Sequence, residues 1–195
     1  MVKIKYYNPL DFAAGKHKRV DDKPYGGGPG MVLQLEPLLK ALRATKVRRG
    51  KTAKVILFSP AGKQFSNKTA ATLARSYKNL ILICGRYEGV DARLKKVFMN
   101  LKLKTEELGI GPYVLTGGEL PAMVLIDATS RQMEGVLGKQ ESLEEGRLGI
   151  GVPVYTRPEV FIYQGKKYKV PKVLASGNHA KIEAWRKKHK RVVRS

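Results

Sequence analysis

With 195 residues, 43% of them hydrophobic and 28% charged, the chain can build one substantial core, or a core with an appendage, and its composition excludes a disordered or fibrous protein. A formal net charge of +22, from 38 Lys and Arg against 16 Asp and Glu, makes a polyanion the expected partner; RNA or DNA comes first, and a basic surface serving only solubility is the plainer alternative. The longest apolar run, residues 80–84, falls far short of the roughly 20 residues of a spanning helix, the alternating start at residues 1–5 is not a signal peptide, and a lone Cys84 excludes a disulfide framework, so a cytoplasmic protein is expected.

In chain order, Val2, Ile4 and Tyr6 alternate with Lys3, Lys5 and Tyr7, which predicts a half-buried strand ending at Asn8-Pro9. Residues 11–31 read as a loop, and Pro24-Tyr25-Gly26-Gly27-Gly28-Pro29-Gly30 can hold no regular element. Residues 33–46 read as a helix with Pro37 in its first turn and Leu38, Leu39 and Leu42 on its apolar face. Residues 54–58 read as a buried strand stopped by a turn at Ser59-Pro60-Ala61-Gly62. Ser66 caps a helix over 67–77, with Ala70, Leu73 and Ala74 inward, and a strand follows at 80–84. Tyr113-Val114-Leu115 predicts a short strand broken by Thr116-Gly117-Gly118, and Pro121 opens a helix carrying Met123, Leu125, Ile126 and Thr129. Such alternation implies a mainly parallel α/β sheet. Residues 135–153 read as an exposed linker, 161–168 as a small hairpin, and the ending as helical and basic, with Trp185 among Lys181, Arg186, Lys187, Lys188, Lys190, Arg191 and Arg194.

Ligands of an open parallel sheet bind beyond the carboxyl ends of its strands. Three glycine-bearing segments occupy such places: 59–62, 84–89 and 109–121. Any one of them alone reads as an ordinary turn. Gly62-Lys63 lacks the remaining elements of a P-loop, no GxGxxG follows a strand, His17, His179 and His189 are scattered without HExxH, and no GxSxG elbow occurs. Nucleotide hydrolysis, metal catalysis and serine chemistry therefore have no support.

Five ordered blocks resemble those of the bacterial tRNA (guanine-37-N1)-methyltransferases of the SPOUT superfamily. These are Asp21-Asp22-Lys23-Pro24-Tyr25-Gly26-Gly27-Gly28-Pro29-Gly30-Met31, Gly85-Arg86-Tyr87-Glu88-Gly89-Val90-Asp91, the 115–127 segment, Tyr155-Thr156-Arg157-Pro158-Glu159, and Ser176-Gly177-Asn178-His179. The resemblance implies an α/β domain with a deep trefoil knot over residues 1–134, a linker over 135–153, and a reduced hairpin and basic helical segment over 154–195. It implies a homodimer with its active sites at the subunit interface, S-adenosyl-L-methionine as cofactor, and tRNA as substrate, methylated on N1 of the guanosine 3′ of the anticodon. Carried over by position, the cofactor residues are Pro60, Tyr87, Glu88, Gly89, Ile110, Tyr113, Leu115, Gly117, Gly118 and Pro121. Arg131 matches the catalytic arginine, whose guanidinium would stabilise negative charge on guanine O6; read without the family it is a helix-surface charge. Glu88 is either a structural loop carboxylate or a charge favouring the cofactor's sulfonium.

The family's general base is a linker aspartate, and this chain has no aspartate after Asp127. Its linker, Lys139-Gln140-Glu141-Ser142-Leu143-Glu144-Glu145-Gly146-Arg147, leaves Glu145, Glu144 or no base, with Glu145 preferred because glutamate has similar acidity and one more methylene of reach. Pro112 stands where an acidic residue is usual. The family's strand and helix ahead of Val2 and its helical domain beyond Trp185 have no counterpart here, so an alternative start site or an unusually minimal member is expected, with residues 187–194 gripping RNA phosphates instead. The leading reading is the methyltransferase; the alternative is a non-catalytic basic RNA-binding relative.

Overall fold

A computed structural model describes residues 2–16, 18–47, 52–136 and 151–190. The chain forms two compact units, Met1–Val136 and Leu137–Ser195. The first is built on a parallel sheet of three strands, β3 (Ala53–Gln64), β4 (Asn79–Ile83) and β5 (Thr105–Gly109), in the order β4-β3-β5. Ladders run from Ala53↔Asn79 to Leu57↔Ile83 on one side of β3 and from Val55↔Thr105 to Phe58↔Leu108 on the other.

Successive side chains of a strand face opposite ways, and β3 uses both faces. Ile56 is fully buried with Leu73, Leu108 and Leu125, and this cluster joins the sheet to α2 (Asn67–Ser76) and α4 (Glu119–Ser130). Val55 points to the other side, where Leu94 and Phe98 of α3 (Arg93–Asn100) and Leu38, Leu39 and Leu42 of α1 (Leu35–Ala44) pack. Pro37 sits in the first turn of α1, where its missing N–H has no intrahelical partner to lose. Ser66 caps α2 by accepting from the Thr69 N–H at 3.3 Å. A two-residue antiparallel pair, β1 (Asp21–Asp22) with β2 (Val32–Leu33), clasps the base of the glycine-rich loop.

Several expectations need correction. Residues 2–7 form no strand, and Val2, Ile4 and Tyr6 are exposed: alternation alone makes no strand where nothing among the described residues pairs with it. The turn expected at Ser59–Gly62 is instead an irregularity inside a longer strand, since Phe58 and Lys63 both stand opposite Leu108 and the residues between them drop out of the ladder. Tyr113–Leu115 is irregular, with only Gly117 bridged to Arg86. The last helix of this unit opens at Glu119 rather than Pro121. Helix α3 and strand β5 were not anticipated. The carboxylates that disguise β5 are matched by cations, Lys54 reaching Glu106 at 2.6 Å and Lys95 reaching Glu107 at 2.5 Å.

In the second unit, β6 (Val160–Tyr163) and β7 (Lys166–Lys169) form the expected hairpin, followed by α5 (Lys172–Ala175) and α6 (His179–His189). Asn178 caps α6 by accepting from the Lys181 N–H at 3.1 Å. Trp185 stacks on His189 with centroids 4.1 Å apart and meets Tyr155 edge-on. The basic ending thus has an aromatic anchor; Arg191 and Arg194 lie outside the described residues.

Because Leu73 is buried between the sheet and α4, Leu73→Ala is expected to cost about 2–5 kcal/mol of unfolding free energy. The same truncation at exposed Met99 on α3 should cost about 0.5 kcal/mol or less. Urea unfolding of the two variants beside the parent chain measures both.

Candidate active site

Parallel pairing brings the carboxyl ends of β3, β4 and β5 to one edge, and the segments leaving them surround a cavity of about 410 Å³. The first contributes Ser59 and Pro60, the second Gly85 to Val90, and the third Ile110, Gly111 and Tyr113 to Gly118, with Pro121 from the first turn of α4. All ten positions carried over for the cofactor, Pro60, Tyr87, Glu88, Gly89, Ile110, Tyr113, Leu115, Gly117, Gly118 and Pro121, line this one cavity.

The loops are tied to one another. The Gly118 N–H donates to the Gly85 carbonyl at 2.8 Å, and the Arg86 guanidinium donates through Nε to Glu119 Oε1 at 2.8 Å. A side chain at position 118 would put its Cβ 2.6 Å from the Cα of Cys84, so only glycine allows the third loop to close on the end of β4. The glycine-rich segment braces the second loop from outside: Glu88 N–H donates to Met31 O at 3.1 Å, and Leu33 N–H to Gly89 O at 3.0 Å. Gly30, at φ +97, leaves room for the Glu88 carboxylate, which a Cβ there would meet at 2.5 Å. Between these ties Tyr87 is held at φ 56, a left-handed conformation that costs a non-glycine residue about 1–2 kcal/mol. Tyr113 donates its hydroxyl to the Ile110 carbonyl at 3.3 Å, folding its ring over Gly111.

Charge at the rim follows from these contacts. Burial works to raise the Glu107 carboxyl, but the Lys95 ammonium and the Ser59 hydroxyl outweigh it and hold the group below the usual glutamate range. Glu119 is likewise lowered: burial opposes, while its own backbone N–H and the Arg86 guanidinium prevail. Both carboxylates are therefore ionised at neutral pH. The Cys84 thiol is pushed up, first by burial and then by the charge of Glu119, which makes it a poor nucleophile.

Arg131 is not among the cavity-lining residues. It follows the last turn of α4, half-buried, with its backbone N–H donating to Asp127 O at 3.0 Å. Glu145 and Glu144 lie outside the described residues. Arg86 and Glu119 lie within the family's motifs but carry no local sign of their pairing, and Lys95 and Glu107 sit on α3 and β5, elements that sequence pattern does not reveal. No group of three potential metal-ligating side chains occurs among the described residues.

The lowered Glu119 carboxyl stabilises the fold fully above its unfolded value near pH 4.5, and that contribution is lost as pH falls through the lower folded value. Thermal unfolding of Glu119→Gln should therefore show a deficit against the parent at pH 7 that shrinks below about pH 4.5. A pH-independent deficit would disprove the assignment to the ionised Arg86 pair.

A family model described as tRNA (Guanine-1)-methyltransferase TrmD matches residues 1–194. The chain is 50% identical over 191 residues to a tRNA (guanine-N(1)-)-methyltransferase of Mannheimia succiniciproducens, covering 96% of this chain and 71% of the relative. It is 49% identical to the protein of that name from Haemophilus influenzae over 191 residues, covering 96% and 74%. To that of Pasteurella multocida it is 49% identical over 189 residues, covering 95% and 73%. With its whole described length matched and a loop-lined cavity at the strand ends, the chain belongs to the tRNA (guanine-1)-methyltransferase family.

Proposed function

We propose that this chain is a methyltransferase that carries a methyl group from S-adenosyl-L-methionine to N1 of the guanosine 3′ of the anticodon, position 37 of tRNA. The observation that carries this reading is the convergence of three strand-end loops on one cavity in a member of this family. The non-catalytic alternative finds no support in the relatives, which bear methyltransferase names.

The cavity suits the cofactor. Its volume falls within the roughly 300–1,000 Å³ of small-molecule sites. Backbone groups at Gly89, Gly117 and Gly118 can approach closely, Tyr113, Leu115 and Ile110 offer apolar and aromatic surface, and Glu88 supplies a negative charge for a cationic ligand. Bound there, S-adenosylmethionine supplies an electrophilic methyl carbon on a sulfonium. The chain's own residues do the rest. Glu145 accepts the proton from guanine N1, and the Arg131 guanidinium stabilises the negative charge that deprotonation places on O6. The loop ties hold the reactants at short range, which supplies much of the rate.

Homodimerisation is part of this proposal. Arg131 caps the far end of a twelve-residue helix whose Pro121 lines the cavity, about 15 Å away along the axis at 1.5 Å per residue. A second subunit removes that separation, and exposed Leu120, Met123 and Val124 on α4 give it an apolar strip to cover. The trefoil-knotted topology of the SPOUT superfamily belongs to the same reading and rests on the family match. A cytoplasmic location suits a tRNA substrate; no helix among the described residues is long and apolar enough to cross a membrane.

Incubation with labelled S-adenosylmethionine and an unmodified tRNA transcript should give incorporation when guanosine follows the anticodon and none when adenosine replaces it. Glu145→Gln should abolish incorporation, and Arg131→Ala should lower kcat by roughly 10²–10³-fold. No incorporation by the parent chain would sink the reading, and full activity in Glu145→Gln would reassign the base.

A further inference from the structure

We propose that one exposed face of the β6–β7 hairpin is a base-stacking platform for unpaired nucleotides of the tRNA, an inference that rests on the substrate reading above. Phe161 stands opposite Tyr168, and Tyr163 opposite Lys166. Because side chains alternate along a strand, these four share one face, while Val160, Ile162, Lys167 and Lys169 share the other. A two-stranded hairpin is marginal in water and normally buries an apolar face. This one leaves Phe161, Tyr163 and Tyr168 exposed at 55%, 56% and 53%. The Phe161 and Tyr163 rings are nearly parallel, 9° between planes with centroids 6.5 Å apart, so their π-faces are aligned rather than collapsed onto each other.

The surrounding charge selects the occupant. Residues 151–190 carry ten Lys and Arg against two acidic residues, Glu159 and Glu183, and no carboxylate lies between them. Aromatic rings interleaved with lysines fit single-stranded RNA: the rings stack on unpaired bases with little regard to sequence, and the lysines meet phosphates. A duplex hides the faces of its bases, so the platform selects loops and unpaired ends.

The test is binding of the full chain to the unmodified tRNA transcript by fluorescence anisotropy at fixed salt. Phe161→Ala/Tyr163→Ala is expected to raise Kd by about tenfold or more, while Phe161→Tyr binds as the parent. These side chains are exposed, so thermal unfolding should not change; should the double variant unfold, Tyr168→Ala on the opposite strand gives the same readout. Lys166→Gln/Lys167→Gln should flatten the dependence of binding on salt, which the aromatic variant leaves unaltered. An unchanged Kd in the aromatic variant, or equal weakening towards a fully paired RNA duplex, overturns the platform. Loss of binding only to anionic lipid vesicles, with tRNA binding kept, overturns it equally. Methyl transfer by the parent chain is followed in parallel. Hairpin-dependent tRNA binding without turnover defeats the methyltransferase reading and leaves the platform; turnover with hairpin-independent binding does the reverse.

Discussion

The burial of β3 on both faces is the constraint from which the site follows. Val55 and Ile56 are adjacent in sequence and almost wholly removed from water, one against α1 and α3, the other against α2 and α4. A strand so buried must have hydrogen-bonded neighbours on each side, and with helical crossovers between them those neighbours run parallel. Parallel strands end together. The residues that leave β3, β4 and β5 therefore start within reach of one another, and short ties such as Gly118 to Gly85 and Arg86 to Glu119 suffice to close them around a cavity.

Electrostatics divides the molecule into two regimes. Overall the chain is strongly cationic, but the cavity is lined by ionised Glu107 and exposed Glu88, and ionised Glu119 pairs with Arg86 of its lining. Lys95 and Arg86 are committed to those carboxylates and so are poor anchors for phosphate. The ten Lys and Arg of residues 151–190, against two acidic residues, give the second unit the positive charge that draws a polyanion. The pocket thereby suits a ligand that is cationic or zwitterionic, and the charge of the second unit suits RNA.

Much of this was legible in the sequence where local pattern and tertiary context agree. The cap at Ser66, the apolar faces of α1 and α2, the cores of β3 and β4, and the hairpin all follow from periodicity and capping chemistry. Strand β5 did not, because Thr105-Glu106-Glu107 looks polar; it is an edge strand, and its charges are answered by Lys54 and Lys95 from other elements, which no local window contains. The opposite error occurred at residues 2–7, whose alternation promises a strand that no described neighbour pairs with. The ten cavity positions came from a family resemblance rather than from pattern: glycine after a strand is ambiguous until the fold brings three such places together.

Tyr87 shows how that assembly is stabilised against its own strain. Its left-handed backbone would relax if the second loop were free, yet it is pinned on both sides, by Glu88 N–H to Met31 O and by Gly89 N–H to Arg86 O. Met31 belongs to the glycine-rich segment and Arg86 pairs with α4, so the strained residue is fixed by two elements distant in sequence. Each tie is a hydrogen bond of modest net value, about 1 kcal/mol, comparable to the strain it opposes. Together they outweigh it, since two such bonds act on one strained residue. A loop balanced in this way sets the backbone from which the Tyr87 side chain, 64% exposed, leaves for the cavity mouth.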